Sequence, residues 1–265
     1  MNEMLAVGEL PAVRIASADG AEATIALYGA HLVSWKSADG KERLFMSRQS
    51  PLDGSAAIRG GVPVIFPQFS TRGTGQRHGV ARLSTWTLAA IGSADNGDAW
   101  AEFALTEANV PPALAQGWPH KFALLLRFTL RGNAIEMRFN VRNTDTEDWD
   151  FACALHTYYA VKAFTESALE GLPDGRIAFG PKLDNIYAAP PELTLHTGAN
   201  GLRLQQQGFT EFVVWNPGAE GAAALADMAD EEWQQFVCIE PARVDKKALA
   251  AGAEWTGLHT ITAIP

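Results

Sequence analysis

The side chains with the chemistry to matter fall in four places. Residues 58–86 carry Arg59, Arg72, Arg77, His78 and Arg82. No Asp or Glu occurs from residue 54 to residue 94, in a chain of 265 residues that has 30 acids and a formal charge of −9. Positive charge gathered against the overall sign suits an anionic ligand. Gly60, Gly61, Pro63 and Pro67 fix the backbone beside that charge, which suits an anion held close to the main chain. The competing reading is a solvated basic loop. The apolar run 62–66 weakens it, because that run reads as a buried strand anchoring Arg59 at its entry.

His156 stands in Phe-Ala-Cys-Ala-Leu-His-Thr-Tyr-Tyr. On a strand it would share a face with Ala152, Ala154 and Tyr158, and the small residues would leave room for a ligand. The alternative is a core histidine bonded to its neighbours. Glu240 follows the apolar run Phe-Val-Cys-Ile and precedes Pro241. The proline should stop the ladder and leave the carboxylate at a rim, where burial raises its pKa into the range of a useful base. The alternative is a strand-end acid paired with Arg243. Asp184 lies in a polar stretch after Gly180-Pro181 and by itself reads as an ordinary loop acid. His31, His120, His196 and His259 read as surface or turn histidines.

These groups need a scaffold, and the scaffold is β-rich. Short β-branched and aromatic runs alternate with Gly, Pro, Asn and Asp, giving strands near residues 13–16, 23–27, 29–35, 83–91, 99–106, 122–130, 134–141, 212–215 and 258–264. Residues 122–141 read as a hairpin with Arg131-Gly132-Asn133 as a three-residue loop. Residues 149–161 and 236–239 are more continuously apolar and read as central strands. Short helices are expected only at 231–235 and 245–251. The pattern predicts an all-β protein: one large antiparallel β-sandwich domain spanning residues 1–265.

Composition sets outer limits. The net negative charge argues against nucleic acid or an anionic membrane as partner, and no run is long enough to span a bilayer. The N-terminal residues lack a signal-peptide pattern. Cys153 and Cys238 sit in apolar runs and read as reduced core residues, so the expectation is a cytoplasmic protein, taken as a monomer. There is no CxxC, HExxH, Walker, dinucleotide or GxSxG pattern, so no metal or cofactor is expected. Cofactor-free acid–base chemistry is what remains for an enzyme.

The segments Arg59-Gly-Gly-Val-Pro-Val-Ile-Phe-Pro-Gln-Phe, His78-Gly-Val-Ala-Arg82, Leu155-His156-Thr-Tyr-Tyr, Asp184-Asn-Ile-Tyr187, Val214-Trp-Asn-Pro217 and Val237-Cys-Ile-Glu240-Pro-Ala occur in this order over most of the chain. Together they resemble the aldose 1-epimerase-like superfamily, and within it the hexose-6-phosphate mutarotases. The resemblance implies a galactose mutarotase-like supersandwich. It implies His156 as general acid, Glu240 as general base, and Arg59, His78, Arg82 and Asp184 in a sugar-phosphate site. Arg77 stands where relatives carry Gln or a small residue, and it is counted here as a further phosphate ligand. Residues 218–224 are less polar than in relatives and read as a permissive loop.

The reaction so implied interconverts the α and β anomers of a hexose 6-phosphate, with acid and base on opposite sides of the C1–O5 bond. Tyr158, Trp215 or Phe66 would pack on the sugar. Two rivals stand beside it: an epimerase of unphosphorylated aldoses, and a non-catalytic carbohydrate-binding sandwich. A glycoside hydrolase would want two carboxylates flanking the scissile bond, where the motifs offer one with a histidine.

Overall fold

The computed structural model describes residues 2–173, 175–198 and 201–264. Its nineteen strands form three antiparallel sheets of four, six and nine strands. The four-stranded sheet takes Glu3–Val7, Leu10–Ala16, Glu22–Ala26 and His31–Lys36 in chain order. The nine-stranded sheet includes the hairpin Phe122–Arg131 and Ala134–Asn143 and the last strand Glu254–Ile264. The all-β expectation holds: the α-helices among the described residues are the short Pro112–Ala115 and Gly218–Ala223.

Period-2 patterning explains how these strands stack. Ile135, Met137, Phe139 and Val141 are fully buried, while their alternating neighbours Glu136, Arg138, Asn140 and Arg142 point away from the core. One continuous apolar core draws on all three sheets, with Val13 and Ile15 from the first, Leu155, Val214 and Ile239 from the six-stranded sheet, and Phe103, Phe128 and Phe139 from the largest. The hairpin is tighter than expected. Arg131 pairs with Ala134, so the loop is Gly132-Asn133 alone, with Gly132 at φ 56° in the first position.

The six-stranded sheet carries Glu240 and Asp184, and His156 lies between two of its strands. Its main path runs Leu183–Ala188, Glu211–Asn216, Phe236–Leu249, Trp149–Leu155 and Val64–Ile65, with Tyr158–Ala160 also paired to Phe236–Leu249. Four local expectations fail here. Pro241 does not stop its strand: it lies inside Phe236–Leu249, opposite Phe212. Residues 245–249 are strand rather than helix, because Trp149 pairs with Leu249 and Asp150 with Ala248, and pairing along a sheet overrides a weak helical propensity. Asp184 sits on a strand rather than in a loop. His156 and Thr157 form a break between two strands, so His156 is not a strand residue.

His31 and His259 are not surface groups. His31 Nε2 lies 2.8 Å from the Gly60 carbonyl, and His259 bridges the Tyr159 hydroxyl and the Gln205 carbonyl, both at 2.9 Å. Nothing in their flanking residues signals that burial. It comes from strands distant in sequence.

Candidate active site

Strand parity brings the site together. On Phe236–Leu249, Val237 and Ile239 enter the main core, so Cys238, Glu240, Ala242 and Val244 face the other way. Val213 pairs with Glu240, Trp215 with Cys238 and Asp184 with Trp215, which sets Val213, Trp215 and Asp184 beside Glu240 on the same face. Ala152 and Ala154 pack on this face with Val213 and Trp215, but neither lines the pocket, so the ligand space expected in front of them is filled by their own cluster.

His156 is held by both ends of its break. Its backbone N–H donates to the Pro63 carbonyl at 3.0 Å, and the Tyr158 N–H donates to the Gly61 carbonyl at 2.8 Å. Gly61 donates in turn to the Phe45 carbonyl at 2.7 Å. The segment after Arg59 is thus a strut that aims the imidazole. Gly60 and Gly61 take φ 117° and 56°, and a Cβ on Gly61 would lie 2.2 Å from the Leu32 carbonyl oxygen, so the glycine pair is required by both conformation and space.

The loop from residue 68 to residue 82 is shaped by Gln68, buried and bonded to the Ser70 carbonyl and to both backbone groups of Gly75. His78 sits at φ 63°, its Nδ1 accepting from the Ser70 N–H at 3.3 Å. Arg82 Nη2 donates to the Arg77 carbonyl at 3.0 Å. Arg72 turns away to pair with the exposed Asp245.

All seven residues singled out in the sequence, Arg59, Arg77, His78, Arg82, His156, Asp184 and Glu240, line one pocket of about 170 Å³. Phe69, Ser70, Val213, Trp215 and Leu225 complete its wall. His156 Nε2 and Glu240 Oε1 are 3.3 Å apart, so acid and base are neighbours rather than groups facing each other across the cleft. Each keeps a buried polar atom without a partner, Nδ1 of His156 and Oε2 of Glu240. Arg243 does not pair with Glu240: its guanidinium lies 4.3 Å over the Phe151 ring. Of the three aromatics considered for the sugar, only Trp215 reaches the pocket. Tyr158 stacks behind His156 at 5.0 Å and 11°, and Phe66 is in the main core against Phe122 and Trp118.

The electrostatics are those of a buried, cationic site. Burial holds His156 well below the usual imidazole range, and His78, Arg82 and Arg59 push it further down. Burial raises Glu240 well above the carboxylate range, with Asp184 adding to the rise and Arg82 opposing it. His78 is lowered to about 3 by burial and by Arg82, Arg77 and Arg59. Arg82 is lowered to about 10, again by burial first and by its neighbouring arginines. Both shifts favour the uncharged form of their group.

The arginines differ. Arg59 pairs with Asp227 at 3.0 Å and donates to the Tyr158 hydroxyl at 2.9 Å. Neither Arg77 nor Arg82 has a carboxylate partner among the described residues. The sequence reading missed Asp227 and Leu225. They lie after the segment read as permissive, in an acid-rich run that looks like a solvated surface.

The fold is that of the galactose mutarotase-like sandwiches, and comparison with known proteins gives the family. The aldose 1-epimerase family matches residues 11–178 and 173–262, and the chain belongs to that family, which makes it an isomerase-type enzyme of carbohydrate metabolism. A Cenchrus ciliaris protein named "Putative glucose-6-phosphate 1-epimerase" is 31% identical over 277 residues, covering 92% of this chain and 82% of that one. An Escherichia coli protein of the same name is 31% identical over 242 residues, covering 83% and 79%. The crystal structure of "a putative mutarotase (YeaD)" from Salmonella typhimurium superposes with a TM-score of 0.88 at 26% identity, covering 99% of this chain and 93% of that one.

Proposed function

We propose that this enzyme interconverts the α and β anomers of a D-hexose 6-phosphate, glucose 6-phosphate foremost, with Glu240 as base and His156 as acid. One observation carries the reading. The His156–Glu240 contact and two arginines without a carboxylate partner line the same pocket, in a chain whose net charge is −9. A dianionic phosphate supplies what those guanidiniums lack, through charge-assisted, forked hydrogen bonds. The names of the plant and E. coli relatives point to the same substrate.

The steps follow from the positions of the groups. O1 and O5 of the sugar are both bonded to C1, so a donor and an acceptor serving them must be neighbours, as His156 and Glu240 are. Bound phosphate offsets the positive charge of Arg82 and Arg59, which is part of what depresses His156. The imidazole then takes the proton that burial favours on Glu240. The Glu240 carboxylate removes the O1 proton, the C1–O5 bond breaks, and the imidazolium protonates O5. The product is the open aldehyde beside a neutral His156 and a protonated Glu240. That is the pair burial favours, so the buried site favours ring opening. Rotation about C1–C2 and the reverse transfers give the other anomer. Asp184 accepts from a sugar hydroxyl, and Trp215 covers an apolar face of the ring.

Cys153 and Cys238 are buried and unpaired, which supports a reducing, cytoplasmic setting.

The test is anomerisation of freshly dissolved α-glucose 6-phosphate followed by polarimetry. Glu240→Gln and His156→Ala should each lose roughly 10²–10⁴ in rate. Variants as fast as the wild type would refute the role assignment.

A further inference from the structure

Asp227 belongs to none of the motifs that mark the site, yet it is the carboxylate paired with one of the pocket's arginines. Arg59 is gripped at both ends of its guanidinium: Nη2 pairs with Asp227 Oδ2 at 3.0 Å, and Nη1 donates to the Tyr158 hydroxyl at 2.9 Å. The pair is mostly buried, with the Arg59 and Asp227 side chains 20% and 26% exposed. Burial works against the Arg59 charge, but Tyr158 and Asp227 together outweigh it and push its pKa up.

What separates this pair from a surface ion pair is the rigidity of both supports. An exposed pair contributes little because two long side chains must be ordered to make it. Here Glu232, 3% exposed, ties the two supports together. It accepts from the Ser47 hydroxyl at 2.7 Å and the Arg48 N–H at 3.0 Å, and from the Ala229 N–H at 3.0 Å, two residues from Asp227. Ser47 N–H in turn donates to the Arg59 carbonyl at 3.1 Å. Met228, next to Asp227, is buried against the cluster of Tyr158 and Phe236. Tyr158 also stacks on His156. The distance from the Arg59 guanidinium to the acid–base pair is thus set by covalent and packed connections on every side. Arg59 Nε is left buried and without a partner.

We propose that Asp227 is a positioning residue of the phosphate site: with Tyr158 it fixes the Arg59 guanidinium relative to His156, so that the pocket accepts a phosphate only at a set separation from the reacting carbon. This rests on the hexose 6-phosphate reading and adds a residue and a reason for selectivity. A guanidinium free to swing would bind phosphate at many distances. A clamped one recognises a phosphate on the far end of a hexose and loses hydrogen bonds to one placed elsewhere.

The experiment compares kcat/KM for glucose 6-phosphate with that for glucose in the wild type and in Asp227→Ala, Asp227→Asn, Tyr158→Phe, Arg59→Ala and the Arg59→Ala/Asp227→Ala double variant, with thermal melting of each. Asp227→Ala should lower the ratio roughly fivefold, mainly through KM for the phosphorylated sugar. Asp227→Asn, which keeps the shape and an acceptor oxygen, should recover most of that loss, and Tyr158→Phe should reproduce part of it. In the Arg59→Ala background, loss of Asp227 should cost nothing more. If Asp227→Ala melts early, Asp227→Ser, too short to reach Arg59, decides in its place and should show the same loss. A ratio unchanged or raised by Asp227→Ala and Asp227→Asn, with Arg59→Ala still lowering it, overturns the positioning role and leaves the phosphate site standing. A ratio untouched by Arg59→Ala removes the phosphate role of Arg59 and this inference with it.

Discussion

At the scale of single residues, burial shifts the pKa of Glu240 up and that of His156 down. Glu240 and His156 were legible as candidates because an acid and a histidine inside long apolar runs demand a reason. Their contact was not legible, since it depends on a break in one strand and the register of another. Nor was the continuation of the ladder past Pro241, which leaves Glu240 1% exposed instead of at a rim. Asp184 adds its negative charge to the rise in Glu240. Removing that charge as Asp184→Asn should lower the Glu240 pKa. The alkaline limb of the pH–rate profile, where the Glu240–His156 pair loses to solvent the one proton it needs, should then move to lower pH. A limb that stays in place, or moves up, would show that Asp184 does not couple to Glu240.

At the scale of elements, the strut from Arg59 to Ile65 does two jobs. It presents the arginine, and it holds both ends of the His156 break through Pro63 and Gly61. The glycines were readable as backbone fixtures. Their geometric reason was not, because it comes from Leu32 and Phe45, far away in sequence. Gly61→Ala places a Cβ against a carbonyl oxygen at φ 56° and should cost about 2–4 kcal/mol. Gly40→Ala, at φ 75° with nothing within 4 Å, should cost only about 1 kcal/mol of backbone strain. Chemical denaturation of the two variants checks the difference; equal costs would show that the strut is not tightly packed. The helix expected at residues 245–251 failed for a related reason. Local propensity cannot register that Trp149–Leu155 lies alongside to pair with it.

At the scale of the whole molecule, the β-rich class was clear from strand-length runs, and the division into four-, six- and nine-stranded sheets was not, because alternation gives a strand's faces and not its neighbours. The seven residues picked from sequence all line one pocket; six stood out by the composition of their segments, and Asp184 only through the family resemblance. Asp227 was invisible because an acid among acids carries no such mark. The molecule as a whole is acidic, yet Arg77 and Arg82, without carboxylate partners among the described residues, line the pocket that holds His156 and Glu240. That contrast is the central claim, and one measurement addresses it most directly: polarimetric kcat/KM for α-glucose 6-phosphate and for α-glucose, in the wild type and in Arg82→Ala. The wild type should favour the phosphorylated sugar strongly, and Arg82→Ala should reduce that preference by roughly ten- to a hundredfold. Equal use of both sugars by the wild type, or equal losses on both in the variant, would contradict it.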